Sequence, residues 1–378
     1  MKIAHLIYTE GVAGAEKHLK HLLPQLKLHD INCELIIVCP SFCYETLQNF
    51  ATALQQKNIP VSIIVAGRSI QLNTLKQINA YLRKNGISIL HSHLLRSDLL
   101  ASLVKLIFYK NLYVISSKHG YNEAVQMAYS RGDKKLKKGI IFYITLFTLK
   151  YINKNIAVSG FIANLFFDIG LTKEHFHVIY HGLDLPLQNN VHKLNKDYNA
   201  IPPKIVVVGR LETIKGHSYA LLVLHEIQKV YPNVQLEIVG IGSIKNELEE
   251  QVKMLGLEKN VSFIGFQQNP YQFIAGADII LNPTLGEAFG LVFIEAMGLK
   301  TPIIAFDLPA GNEIITNNKT GILVPKANVS EMAKSALHLL QHHDVRNNIA
   351  QQAYNAYNTL YTTAIMAANT ANFYKTAL

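Results

Sequence analysis

Short runs rich in Ile and Val alternate with longer amphipathic stretches along most of the chain, and this alternation constrains the fold more than any other feature. A strand covered on both faces reads as a continuous apolar run, so such runs separated by helix-length segments predict parallel sheets wrapped in helices. The expected strands of a first series are Ile3–Tyr8, Glu34–Cys39, Val61–Val65, Ile87–His91, Tyr113–Ser117, Asn155–Val158 and His177–Tyr180. A second series is expected at Lys204–Val208, Gln235–Val239, Ser262–Ile264, Asp278–Asn282, Pro302–Ala305 and Ile322–Val324. Between them a polar stretch without clear period ends in Pro202-Pro203, which reads as a linker over 186–203. At 378 residues the chain exceeds the size at which one core keeps growing. The expected fold class is therefore α/β, with two doubly wound Rossmann-like domains over 1–185 and 204–361 and a terminal helix over 362–378. Ligand loops belong at the carboxyl ends of the strands, and a cleft between domains is a favoured site.

The stretch Glu287-Ala288-Phe289-Gly290-Leu291-Val292-Phe293-Ile294-Glu295 places two acids around a glycine turn and a helix start. A helix rises about 1.5 Å per residue, so eight steps separate the carboxylates by up to roughly 12 Å. Paired hydrolase carboxylates lie only about 5 to 9.5 Å apart, which disfavours a glycosidase. Two hydroxyl acceptors flanking a helix N-terminus, whose free N–H groups favour anions, instead match a sugar, a diphosphate and a ribose in a row.

These residues resemble those of the retaining glycosyltransferases of family 4, which have a two-domain B-type fold. Val208-Gly209-Arg210-Leu211-Glu212-Thr213-Ile214-Lys215-Gly216 resembles the family segment that carries an Arg and a Lys for the donor diphosphate. Gly11-Val12-Ala13-Gly14-Ala15-Glu16 resembles the glycine loop facing the reaction centre, with Ala13 replacing the first of two adjacent glycines. Further matches are Ser117-Lys118-His119-Gly120, Ala157-Val158-Ser159, His181-Gly182-Leu183-Asp184, Phe263-Ile264-Gly265 and Gly311-Asn312-Glu313, in family order from about residue 3 to about residue 325. The resemblance implies transfer of a sugar, with retained configuration, from a nucleotide-sugar to a cell-envelope glycan or lipid-linked acceptor. It implies that Glu287 holds donor-sugar hydroxyls, Glu295 the ribose, and that Phe289, Gly290, Leu291 and Val292 lie along the donor. It places His119 beside the donor sugar, Gly14 near the phosphate, and Gly240 and Ile264 around the base. It also implies that the terminal helix returns to the first domain. A UDP-sugar is the expected donor, although no residue distinguishes uracil from guanine or adenine.

Many transferases hold a divalent metal with Asp-x-Asp, and this chain has no such motif. Arg210 and Lys215 can supply positive charge in its place, so His119, Arg210, Lys215 and Glu287 are the expected catalytic residues and no metal or cofactor is expected. His91 and His93 are read as pointing to opposite sides of an extended segment, so that only one faces the cleft. With no third ligand evident, they are not read as metal ligands.

The net charge of +10 is uneven, since residues 1–190 hold 21 Lys or Arg against 11 Asp or Glu and the remainder holds 15 of each. Such asymmetry points to an anionic partner for the first half or to ordinary solubility charge. Lys134, Lys135, Lys137 and Lys138 precede the apolar run 139–149, which is too short to span a bilayer but suits either an anionic membrane surface or a buried helix. No nucleic-acid module is recognisable. Cys33, Cys39 and Cys43 have neither disulfide-framework nor zinc spacing, and no secretion signal opens the chain, so a cytoplasmic protein, peripheral on the inner membrane face, is expected. The alternatives are a sugar-nucleotide 2-epimerase on the same fold and a catalytically silent nucleotide-sugar scaffold.

Overall fold

The computed structural model describes residues 1–67, 69–121, 139–168, 176–185 and 201–377. Their contacts divide them into two compact units, one holding the described residues of 1–121, 139–183 and 362–377, the other those of 184–361. The lysines at 134, 135, 137 and 138 and positions 186–200 of the expected linker lie outside the described residues.

The first unit carries a parallel sheet of β1 (Lys2–Tyr8), β2 (Asn32–Cys39), β3 (Val61–Val65), β4 (Ile89–His93), β5 (Tyr113–Lys118), β6 (Lys154–Ala157) and β7 (Phe176–Val178), ordered β3-β2-β1-β4-β5-β6-β7. The second carries β8 (Lys204–Val208), β9 (Gln235–Val239), β10 (Val261–Gly265), β11 (Ile279–Asn282), β12 (Ile303–Phe306) and β13 (Ile322–Val324), ordered β10-β9-β8-β11-β12-β13. Each order reverses direction at its first strand, between β1 and β4 and between β8 and β11. Loops leaving the strands there open a crevice, which is where doubly wound sheets bind ligands.

Several strand ends shift by one or two residues from the sequence expectation, and the fourth strand is displaced by two at both ends. Ile87 closes the preceding Leu72–Lys84 helix, its N–H bonding to Leu82 O beyond the left-handed Gly86, so it is spent before the strand begins. The ladder instead runs Ile89–His93, with Ile7 opposite His93 and His93 opposite Ser117. Ser92 and His93 lie past the end of the expected strand, yet β1 and β5 on either side hold them in the sheet.

In the first unit the Gly14–Leu26 and Tyr44–Gln55 helices share one core with Ile3, Ile7 and Ile37 of the sheet. The Thr363–Ala377 helix joins that core through Met366, Ala367, Ala371, Phe373 and Tyr374. Its start is fixed by a close backbone approach: a Cβ at Gly182 would lie 2.2 Å from Thr362 O. Met366 Sδ also accepts the Gly182 N–H at 3.1 Å. The opposite face of the sheet packs Ala4, Leu6 and Val114 against Leu75 and Ile78 of the Leu72–Lys84 helix and Leu100 and Val104 of the Leu95–Ile107 helix.

Gly182→Ala is expected to destabilise the protein by about 1 to 3 kcal/mol, the cost of overpacking where backbone must shift. Gly11→Ala, where nothing lies within 4 Å, serves as the control. Equal denaturation midpoints for the two variants would show that the helix start tolerates the methyl group.

Candidate functional site

Two groups of side chains stand at strand ends, one in each unit. In the second unit, three loops leaving β8, β9 and β11 are sewn together through backbone. Leu211 N–H donates to Ile241 O at 2.9 Å, Ile244 N–H to Leu211 O at 3.2 Å, and Leu285 N–H to Ile214 O at 2.7 Å. Glycine is required at the crossings. A Cβ at Gly240 would fall 1.9 Å from Gly209 O, and one at Gly216, whose φ is +68°, would fall 1.9 Å from Pro283 O. Bare backbone therefore brings the sequence-predicted residues onto adjoining loops.

There Lys215 Nζ donates to Glu287 Oε2 at 2.7 Å, joining residues 72 positions apart, while Glu287 Oε1 accepts from Ala288 N–H at 3.2 Å. Both side chains remain partly accessible. Arg210 is exposed on the same loop as Lys215, which lies at the end of a short 3-10 turn. Gly290, at φ +91°, starts the Leu291–Gly298 helix, and a Cβ there would meet the Phe293 ring at 2.5 Å. The first-turn residues Leu291 and Val292 are partly exposed, whereas Phe289 is buried. Glu295, on the next turn, is only 5% exposed and not a solvated helix acid. Its charge adds to burial in pushing the Tyr271 phenol up to about 12. Gly240 and Ile264 are half-buried at the ends of β9 and β10. One neighbour escaped sequence reasoning: His217 is fully buried, its two ring nitrogens have no hydrogen-bond partner among the described residues, and burial with the Lys215 charge lowers it to about 4. Its only sequence signal is adjacency to Lys215-Gly216.

In the first unit, Gly14 opens the Gly14–Leu26 helix, where Ala13 N–H donates to Glu16 Oε2 at 2.8 Å. No protein atom lies within 4 Å of a Cβ at Gly14, so the fold itself does not demand glycine. His119 directly follows β5 and stands among five other histidines. Side chains two apart on a strand share a face, so the reading of His91 and His93 as opposed is corrected: their rings stack at 4.5 Å. His5, opposite His91 on β1, joins them, and His18 and His181 complete the group.

The nitrogens pair in sequence. His5 Nδ1 lies 2.9 Å from His93 Nε2, and His93 Nδ1 lies 2.9 Å from His119 Nε2. His91 Nε2 lies 2.8 Å from Ser117 Oγ, and its Nδ1 lies 2.5 Å from Tyr374 Oη, itself 3.4 Å from His5 Nε2. His181 Nδ1 meets His18 Nδ1 at 2.8 Å. Beneath them Asp98 is fully buried, accepting from Lys118 Nζ and from the hydroxyls of Ser92 and Ser116. This salt bridge fixes the residue preceding His119.

The absence of a third ligand is corrected as well. One nitrogen each of His5, His91 and His93 lie within 4.8 Å of one another, as do those of His18, His93 and His119. The donor set would suit a borderline metal, but the nitrogens named above already engage each other, Tyr374 or Ser117. Burial lowers His5 to about 3 and His119 to about 4. It holds His18, His91, His93 and His181 well below the ordinary value, with neighbouring imidazoles lowering them further.

Between those depressed values and the ordinary 6.5, the unfolded chain binds more protons than the folded one. Stability from the cluster is thus complete above 6.5 and falls as pH drops toward about 4. Denaturant unfolding at about pH 7.5 and 5.5 is expected to show a loss steeper than about 1.4 kcal/mol per pH unit, the limit for one group. A flat profile would show that the cluster is protonated equally in both states.

Comparison with known proteins covers nearly the same span as the motifs. The family model "Glycosyltransferase Family 4" matches residues 12–186 and "Glycosyl transferases group 1" matches 191–356. The chain is 29% identical to the alpha-D-kanosaminyltransferase of Streptomyces kanamyceticus over 153 residues, 40% of each chain. Over 356 residues, 93% of each chain, it is 24% identical to the N-acetylgalactosamine-N,N'-diacetylbacillosaminyl-diphospho-undecaprenol 4-alpha-N-acetylgalactosaminyltransferase of Campylobacter jejuni. Its fold is that of Anabaena Alr3699/HepE in complex with UDP, at a TM-score of 0.81 and 18% identity over the whole of both chains.

Proposed function

Because the chain belongs to the family 4, group 1 glycosyltransferases, we propose that it moves a sugar from a UDP-sugar donor to a cell-envelope glycan or lipid-linked acceptor, with retained configuration and without a metal at the diphosphate. The observation that carries this reading is the meeting of Lys215 with Glu287 beside Arg210 and the Leu291–Gly298 helix start. Arg210, Lys215 and the free N–H groups of that helix supply the positive potential where the leaving diphosphate gains charge. Glu287 holds a donor-sugar hydroxyl and, being paired with Lys215, is a poor nucleophile. Glu295 holds the ribose. The bond from the anomeric carbon to the diphosphate oxygen breaks, the acceptor hydroxyl oxygen bonds to that carbon on the same face, and the hydroxyl proton passes to the departing phosphate oxygen. His119 meets the donor sugar as a neutral imidazole. The UDP bound to Alr3699/HepE supports the donor base, and the diphospho-undecaprenol in the Campylobacter relative's name supports a lipid-linked acceptor.

Screening UDP-sugars for thermal stabilisation and then offering membrane extracts as acceptors tests the reading directly. Transfer is expected to persist in EDTA. Arg210→Ala or Lys215→Ala is expected to cost roughly 2.7 to 4 kcal/mol of transition-state stabilisation, as for lost oxyanion donors. Activity lost in EDTA and restored by magnesium, or both variants within threefold of the parent, would remove these residues from the metal's role.

Membrane docking of the first unit is the second part of the reading. No described helix is long and apolar enough to cross a membrane. The Ile140–Leu149 helix is inverted relative to an ordinary surface helix, burying Thr145 and Thr148 while Ile140 is 78% and Tyr143 59% exposed. An apolar face next to a lysine cluster in sequence suits the interface of an anionic bilayer, where each basic side chain contributes about 1 kcal/mol. Vesicle binding is expected to rise with anionic lipid and fall with salt. It is also expected to weaken when the lysines at 134, 135, 137 and 138 become Gln. Unchanged sedimentation of that variant with anionic vesicles would locate the docking surface elsewhere.

A further inference from the structure

Apart from the His181–His18 pair, the paired nitrogens of the first unit form one unbranched series: Ser117 Oγ, His91, Tyr374 Oη, His5, His93 and His119. Each inner imidazole uses one ring nitrogen on either side. A neutral imidazole has one N–H and one lone pair, so the proton at any link dictates every other. The series can therefore point in only two directions. If it runs toward Ser117, His91 Nε2–H donates to the Ser117 hydroxyl, whose own proton then needs an acceptor. Ser117 is 2% exposed, and its Oγ makes no other hydrogen bond among the described residues. A buried hydroxyl proton without an acceptor is costly. If the series runs away from Ser117, the one unmatched donor passes to the other end, on His119, which unlike Ser117 is only half-buried. Ser117 O–H donates to His91 Nε2, His91 Nδ1–H to Tyr374 Oη, Tyr374 O–H to His5 Nε2, His5 Nδ1–H to His93 Nε2, and His93 Nδ1–H to His119 Nε2. The last proton then stands on His119 Nδ1, a buried nitrogen with no partner among the described residues, so this N–H stays unmatched until a ligand oxygen accepts it, a relief closed to Ser117 inside the sheet.

We propose that Ser117, His91, Tyr374, His5 and His93 are positioning residues, a one-directional relay that fixes His119 as an Nδ1–H donor. This rests on the reading of His119 as the residue that meets the donor sugar. It narrows that role: His119 presents a proton to a sugar oxygen rather than a lone pair to a sugar hydroxyl. It also gives the last helix a part in the site, because Tyr374 is the only non-imidazole link between the two histidine segments. Tyr374 is fully buried, and Tyr374→Phe removes the hydroxyl while keeping the ring.

The test uses the full chain labelled with 15N-histidine, read by long-range proton–nitrogen correlation, with signals assigned by single His→Gln variants. Nδ1–H tautomers are expected for His5, His91, His93 and His119. Tyr374→Phe is expected to return His119 to a mixture of tautomers and to lower kcat at least fivefold while leaving affinity for UDP unchanged. Ser117→Ala, which removes the origin of the series, is expected to release the His119 tautomer in the same way, so the proposal does not depend on one variant folding. An Nε2–H tautomer on His119 in the parent, or a His119 signal unmoved by both variants, would overturn the relay. So would one equivalent of a transition metal copurifying on these imidazoles, because the metal-bound nitrogens would carry no proton. Tautomers as expected with kcat unmoved in both variants would leave the relay intact and overturn the placement of His119 at the sugar.

Discussion

Strands that run parallel must each be returned by a crossover, so both faces of the sheet are covered and all the strand ends gather along one edge. Everything functional in this chain follows from that edge. In the second unit the ends of β8, β9 and β11 approach so closely that carbonyls occupy the space where side chains would begin at Gly216 and Gly240. Bare backbone there lets Lys215 and Glu287 reach each other across 72 residues of sequence. In the first unit the same geometry places the imidazoles of His5, His91 and His93 inside the sheet.

That interior is expensive unless it is fully paired. Buried polar groups need partners, and a partly satisfied network is worse than an apolar one. The chain meets this demand with neutral histidines bonded to one another, with Ser117 and Tyr374, and with an Asp98–Lys118 salt bridge further supported by Ser92 and Ser116. Beneath the imidazoles the charge is the Asp98–Lys118 pair, while burial favours the neutral form of all six imidazoles. The two units thus differ, with a loop cluster of paired charges in one and a polar core of imidazoles in the other.

The strands were legible because both of their faces are buried, which leaves long Ile and Val runs such as Lys204–Val208 that no other element produces. The glycine and acid spacing around Gly290 was legible for a similar reason, since a helix start after a left-handed residue has a local signature. β4 was read two residues early because His-Ser-His is polar and only its neighbours make it a strand. His91, His93, His119 and His181 stood out singly in the sequence, but their gathering into one cluster with His5 and His18 did not. Its members come from β1, the Gly14–Leu26 helix, β4 and the segments after β5 and β7, and Tyr374 lies 283 positions from the His91 that it touches. Contacts of that range are set by topology, and no local spacing encodes them.

The Thr363–Ala377 helix carries a further consequence, for the order in which the chain acquires its structure. Met366, Ala371 and Tyr374 belong to the same core as Ile3 and Leu19, so the unit synthesised first is also the unit finished last. The described residues of the second unit all fall within 184–361, ahead of that helix. Domains generally fold in the order in which they emerge. Here the first must wait, with one flank of its sheet uncovered, until translation has passed Ala377. A chain truncated after Tyr361 would therefore keep every described residue of the second unit beside a first unit that lacks one flank of its core.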